Sequence, residues 1–445
     1  MAVEKKSTVE KAPKLADPVA ASVDPATQQM IERAHELGVE TAFDRAVTMK
    51  PCAIGTQGTC CKNCGMGPCR LPLPKSGIEG EDERKGICGA TANTVAARNF
   101  IRMIAGGAAA HSDHGRCVAE VFLSAARKET EDYKIKDRIK LMEVAEWLGV
   151  PTKVSVDGEE LDRDPDEVAV EVGEKALNEW GKAEGEVLFA QRAPKARYDI
   201  WKKHGVVPRN IDREIVEIMH RTHIGVDQDY RNLIKQGTRA AIADGWGGSM
   251  LATELQDILF GTPYPVVGEA NLGVMKEDMV NIVIHGHEPV LSEMIVAAAS
   301  TKEMHEYALS KGARGIQLSG ICCTANEILQ RHGVPLCGTF LQQELAIITG
   351  ACDAMVVDIQ CIFQNLANVA KCCHTKLITT HPIARMEQEN VIHIEFDEHY
   401  AMEDAKRIIK QAIDNFENRG AEVMIQKHKS PIVSGIVVES IEYQL

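Results

Sequence analysis

A chain of 445 residues has room for roughly three domains of ordinary size and for large buried cores. Its net charge of −14 leaves no basic stripe of the kind that displaces counterions from nucleic acid. No apolar run approaches the ~20 residues of a membrane span, and "MAVEKKSTVEKAPKLADPVAAS" has neither the apolar core of a secretion signal nor the composition of a transit peptide. The expectation is a soluble cytoplasmic protein, in whose reducing compartment fourteen cysteines serve as metal ligands or small buried hydrophobes rather than disulfides.

Residues 1–28 are rich in Ala, Lys, Glu and Pro without a steady apolar period, and read as a mobile tail. Residues 29–260 read as a helical domain. "PATQQMIERAHELGVETAFDRAV", "ATANTVAARNFIRMIAGGAAAH", "DRIKLMEVAEWLG" and "DREIVEIMHRTHIG" all carry helical spacing, the second-last and last ending at glycines. The charged "EGEDERKG" between two cysteines reads as a solvated loop. From about Gly261 to residue 445 short β-branched runs alternate with amphipathic segments: "MVNIVIHGH", "RGIQLSGICC", "AMVVDIQC", "TKLITT" and "VIHIEFDEH". That alternation predicts a parallel, Rossmann-like α/β domain covered by helices. No GxGxxG follows a first strand and no GxxxxGK[ST] occurs, so a nucleotide has little support, and no internal repeat stands out.

"PCAIGTQGTCCKNCGMGPCR" holds Cys52, Cys60, Cys61, Cys64 and Cys69, and Cys88 follows in "KGICGA". Cys61, Cys64, Cys69 and Cys88 supply the four thiolates of a [4Fe–4S] cube from one glycine-rich loop and one return. A structural zinc site takes the same number of ligands and stays open on spacing alone. Cys60 adjoins Cys61 and diverges from it, so Cys52 and Cys60 form a pair two ligands short. Two copies meeting at a two-fold axis would complete a shared cluster; two free surface thiols are the plainer alternative.

A second set follows the strands of the α/β part: His287, the doublet Cys322–Cys323, and Cys361. Ligands of open parallel sheets bind beyond the carboxyl ends of the strands, so these residues are expected to converge as a mixed imidazole–thiolate site for iron, nickel or zinc. A histidine at a strand end is also commonly a satisfied core residue. Cys117, Cys337, Cys352, Cys372 and Cys373 lack such placement, and "KCCH" (residues 371–374) reads as structural because it precedes a strand. His111 and His114, in "AAAHSDHG", share a helical face if that helix continues. Such a pair can relay protons or be two ordinary histidines at a helix end.

Together "GTCCKNCGMGPCR…GICGAT", "AAAHSDHGR", "HGHEPVLSEM", "GICCTANE…RHG" and "DAMVVDIQC" resemble the catalytic subunit of the anaerobic nickel–iron carbon monoxide dehydrogenases, from about residue 29 to the end. The N-terminal extension fits the branch associated with acetyl-CoA synthase. The resemblance implies a prismane/hybrid-cluster-like architecture, a homodimer, and the reaction CO + H2O ⇌ CO2 + 2H+ + 2e−, with electrons leaving to a ferredoxin-like acceptor. It assigns Cys52 and Cys60 to an intersubunit iron–sulfur cluster (D) and Cys61, Cys64, Cys69 and Cys88 to a [4Fe–4S] cluster (B). His287, Cys323 and Cys361 become part of a Ni–Fe–S cluster (C), and His111 and His114 the start of a proton path. Where the family commonly continues that path with histidines, this chain has Cys117 and Glu120.

The remaining C ligands and a catalytic lysine of the family lie in a third α/β domain beyond "GIVVESIEYQL". The expectation is a truncated chain, or one completed by a second polypeptide, that by itself turns over little or no CO. A hybrid-cluster (hydroxylamine reductase-like) protein is one alternative, although its cysteine spacing differs. A non-catalytic electron-transfer or scaffold subunit is another.

Overall fold

A computed structural model describes residues 14–420 and 423–444. The first thirteen residues of the expected tail lie outside that range, and the rest of it is not a tail. Asp17 and Asp24 cap the helices Pro18–Ala21 and Pro25–Glu36, each of which starts at proline. Ala16 is buried, and its N–H donates to Asp44 Oδ1 at 2.9 Å. The low hydrophobicity that suggested mobility belongs to capping residues. The apolar period expected to run on through residue 47 is split, because Gly38 turns with a φ of +67° before a second helix, Ala42–Thr48.

From residue 14 to Phe260 the described residues are mostly helical, with two small hairpins among them that periodicity did not reveal. The first pairs β1 (Cys60–Cys61) with β2 (Cys69–Arg70), and the second pairs β3 (Lys153–Val156) with β4 (Glu159–Asp162). A 35-residue helix, Ala92–Ala126, forms the axis of this part. Around it pack Pro165–Gly181, Ile211–Arg221, Tyr230–Ile242 and Met250–Phe260. The last two are joined by a π-helical turn, Ala243–Ser249, "ADGWGGS". Gly115 on the long helix lets that turn approach: a Cβ there would lie 2.7 Å from Gly248 O and 2.9 Å from the Trp180 ring.

After Gly261 come β5 (Val266–Ala270), β6 (Val280–His285), β7 (Ile316–Ile321), β8 (Leu336–Gly338), β9 (Cys352–Val357), β10 (Lys376–Thr379), β11 (Val391–His393) and β12 (Ser430–Ser434). They form one sheet in the order β11-β10-β9-β6-β7-β8-β5-β12, parallel throughout except for the antiparallel β5–β12 pair. The sheet is therefore mixed rather than wholly parallel. The five strand runs read from the sequence are β6, β7, β9, β10 and β11. The two that pair antiparallel, β5 and β12, alternate exposure and carry no continuous apolar run. β6 and β9 lie at the centre and are buried along their whole length, as strands covered on both faces must be.

The six strands β8-β7-β6-β9-β10-β11 have the doubly wound order. From β6 the chain runs outward through β7 and β8, then returns to the other side of β6 and runs outward through β9, β10 and β11. The order reverses between β6 and β9, which opens a crevice at their carboxyl ends.

Candidate metal centres

The first site is a small recess lined by Cys61, Cys64, Cys69 and Cys88 together with Asn63 and Arg98. Antiparallel pairing sets Cys61 opposite Cys69, and Cys88 arrives in the turn just before the long helix, which Thr91 caps. Successive strand residues face opposite sides, so Cys61 is buried while its neighbour Cys60 is left out of the recess. The Ile87 N–H donates to Cys69 Sγ at 3.4 Å, and N–H donation from Ala90 holds the Cys88 thiol below the ordinary cysteine range.

Two further donors bear on the recess. Asn63 Nδ2 and Arg98 Nε are buried and have no hydrogen-bond partner among the described residues. Four sulfurs facing unspent N–H groups suit an occupant rich in acceptors. Among the described residues no three His, Cys, Asp or Glu side chains converge on a point that a lone metal ion would fill.

Cys52 and Cys60 lie apart from that recess. Cys52 is exposed and caps the short helix Ala53–Thr56; its Sγ accepts from Gly55 N at 3.4 Å, which with Ile54 N–H lowers the thiol pKa. Cys60 is half-buried, and its carbonyl accepts from Asn99 Nδ2 at 3.0 Å.

The second site is the crevice at the switch point. His287 lies two residues past β6, Cys361 four residues past β9, and Cys322–Cys323 open the helix that follows β7. Asp358 joins the central loops. Its buried carboxylate accepts from His287 N at 2.7 Å and Glu288 N at 2.9 Å, and also from Ile359 N. Gly286, at φ +146°, is what lets that carboxylate in, because a Cβ there would fall inside it. Burial pushes the Asp358 carboxyl up to about 6.

His287 Nδ1 faces Ile359 O at 3.1 Å. That partner makes Nδ1 the protonated nitrogen and leaves the Nε2 lone pair free to ligate. Buried Gln343 anchors the loop, donating to Cys361 O at 2.9 Å and accepting from Phe363 N at 2.9 Å. Cys322, Gln360 and Cys361 have φ of +65°, +69° and +59°, half of the six non-glycine residues with positive φ among the described residues. Strain gathered this way marks a site whose surroundings over-determine it. Burial pushes Cys322 up to about 12 and Cys323 to about 11, so metal loading must release protons.

The long helix continues through His111 and His114 and brings both to this crevice. The His114 and His287 rings meet edge-on, 5.8 Å between centroids. Burial, followed by the neighbouring His287 and His111, pushes His114 down to about 3. His111 is half-exposed and faces Asp244 of the π-helical turn, Nδ1 lying 3.1 Å from Oδ1; that hydrogen bond raises its pKa. Gln360 Nε2 donates to Ala110 O at 2.8 Å and ties the Cys361 loop to the long helix. Asp244, Asp358, Gln343 and Gln360 were not singled out in the sequence. Asp244 had no local signal, while Asp358 stood in the quoted "VVDIQC".

The other cysteines stay out of both sites. Cys337 and Cys352 are core residues. The Cys117 thiol is pushed up to about 12 by burial and nearby carboxylates. In "KCCH" His374 is spent on Asp353 at 2.8 Å, which Arg419 also pairs.

Fold and donor sets together define a class: a helical body joined to a doubly wound sheet, with cysteine-rich donor sites in each. The Prismane/CO dehydrogenase family matches residues 59–441, and the chain belongs to that family. Carbon monoxide dehydrogenase 1 of Methanosarcina acetivorans is 50% identical over 423 residues, covering 94% of this chain and 65% of its own length. A Ni-free carbon monoxide dehydrogenase from Thermococcus sp. AM4 superposes with a TM-score of 0.88 at 48% identity, over 96% of this chain and 66% of that one. An acetyl-CoA synthase/carbon monoxide dehydrogenase structure, described by its NiZn[Fe4S4] and NiNi[Fe4S4] clusters, gives a TM-score of 0.86 at 42% identity, over 97% and 63%. The chain thus spans just under two thirds of the length of the first curated relatives it matches.

Proposed function

We propose that this chain is a catalytic subunit of an anaerobic nickel–iron carbon monoxide dehydrogenase, catalysing CO + H2O ⇌ CO2 + 2H+ + 2e−. The observation that carries the reading is the crevice between β6 and β9. His287, Cys323 and Cys361 follow the carboxyl ends of β6, β7 and β9, His287 keeps its Nε2 free, and an aspartate-paired histidine lies on the neighbouring helix, which supports this reading. The relatives bear that activity in their names, and one neighbour is described by nickel and [Fe4S4] clusters.

His287, Cys323 and Cys361 would hold part of a Ni–Fe–S cluster, which when bound supplies the binding of CO, the activation of water and a sink for two electrons. The chain's own residues handle protons. His111, whose imidazole Asp244 orients, accepts a proton from water at Nε2. His114, kept neutral by burial, fills the space between His111 and His287. Cys61, Cys64, Cys69 and Cys88 would hold a [4Fe–4S] cluster that carries electrons away. Cys52 and Cys60, outside that recess, would bind a cluster shared with a second copy.

Residues 29–260 would form the helical iron–sulfur domain and 261–445 the Rossmann-like domain. A cytoplasmic setting accords with fourteen cysteines, none of them in a disulfide among the described residues. A ferredoxin-like acceptor and an acetyl-CoA synthase subunit are the partners this reading entails. The test is anaerobic purification, nickel and iron analysis, and CO-dependent reduction of a viologen. Nickel with CO-dependent reduction supports the reading. Iron without nickel, and no reduction by CO, would leave an electron-transfer or scaffold role.

A further inference from the structure

Arg98 sits on the long helix with 1% of its surface exposed, and among the described residues no carboxylate pairs with it. One nitrogen, Nη2, donates to Gln228 Oε1 at 3.1 Å and to the Asp227 carbonyl at 3.3 Å. The Asp227 carboxylate itself is engaged elsewhere, with Arg221 at 3.3 Å and Asn232 at 2.9 Å. Arg98 Nε has no partner, and the side chain lines the recess of Cys61, Cys64, Cys69 and Cys88. Asn63 Nδ2 lines the same recess and is likewise buried without a partner.

A guanidinium stays charged under all folding conditions. Burying one without a counter-ion is costly, because desolvation is not offset by any nearby negative charge. A tie between the long helix and the Asp227–Gln228 loop needs only the one nitrogen already bonded; it does not explain a full cation lining a recess of four cysteines beside Cys88. An anion in the recess does. A cube held by four thiolates is such an anion, and each electron it accepts adds negative charge.

We infer that Arg98, with Asn63, is the counter-charge and hydrogen-bond donor that favours the reduced state of the cluster held by Cys61, Cys64, Cys69 and Cys88. This rests on the cluster reading given above. Hydrogen bonds to the sulfurs and local charge are the protein's levers on such a potential. Arg98 is accordingly a tuning residue placed beside the ligands, and its effect falls on the reduction equilibrium.

The test is a redox titration of the anaerobically purified assembly, followed by the electron paramagnetic resonance signal of the reduced cluster. The signal is assigned by its loss, with a matching loss of iron, in Cys64→Ser. Arg98→Gln is expected to disfavour reduction at least tenfold, a fall of ~59 mV for one electron. Arg98→Lys keeps the charge and should fall less; Asn63→Ala should fall in the same direction by a smaller amount. A potential unmoved in Arg98→Gln overturns the inference. If Arg98→Gln holds no cluster, Arg98→Lys and Asn63→Ala decide: a fall in both supports it, and no fall in either overturns it. Should Cys64→Ser leave signal and iron intact, the cluster reading fails instead, which is a different result.

Discussion

Gly286→Ala is the sharpest probe of the crevice. The new methyl would occupy the space of the Asp358 carboxylate, which would have to withdraw. Withdrawal breaks its bonds from His287 N and Glu288 N. Hydrogen bonds to a charged group are worth ~1.5–3 kcal/mol each, so the two together cost ~3–6 kcal/mol. Holding alanine at a positive φ adds ~1–3 kcal/mol, for a total of ~4–9 kcal/mol. Whole proteins are stable by only ~5–15 kcal/mol, so the variant should be severely weakened.

Urea denaturation measures the loss, and nickel analysis of the folded fraction reports whether His287 still presents a ligand. A double-mutant cycle isolates the cause. In an Asp358→Ala background the same glycine change should cost only the ~1–3 kcal/mol of backbone strain. An alanine variant within ~1 kcal/mol of wild type, or an equal cost in both backgrounds, would show that the carboxylate does not clamp the two loops.

Changing Cys52 and Cys60 together to serine should remove ~four irons per pair of chains, read by colorimetric iron analysis; unchanged iron would leave the two as plain surface thiols. Asp244→Asn replaces the charged acceptor that raises the His111 pKa with a neutral one. The histidine then stays neutral to lower pH, and the acid limb of the CO-oxidation profile should move down; an unmoved limb would take His111 out of the proton step. Glu398 is pushed up from 4.5 to about 7 by burial, with Glu120 adding to the effect. The folded chain holds this proton where the unfolded chain has released it, so the destabilisation grows from about pH 4.5 and is full above about pH 7. At ~1.4 kcal/mol per pH unit, Glu398→Gln should gain up to ~3 kcal/mol above pH 7 and nothing below pH 4.5. Equal gains at pH 4 and pH 8 in thermal unfolding would contradict that origin.

Local chemistry made much of this protein legible in one dimension. The five continuous β-branched runs marked five strands because strands buried on both faces need unbroken apolar sequence. The residues just beyond three of those runs, His287, Cys322–Cys323 and Cys361, were visible as donors because of where they stand relative to a strand end. Spacing alone separated Cys60 from Cys61. The antiparallel pair β5 and β12, at one end of the sheet, escaped notice because neither strand carries a continuous apolar run. Residues 14–28 misled because capping and disorder draw on the same small and acidic residues.

What the tertiary structure decided was which groups meet. His111 and Asp244 are 133 residues apart, and only a π-helical turn passing over Gly115 sets them face to face. Nothing local in "AAAHSDHG" or "ADGWGGS" encodes that distance. Sequence fixes what a side chain can do as a donor, an acid or a base; the packing of remote elements fixes whom it does it to.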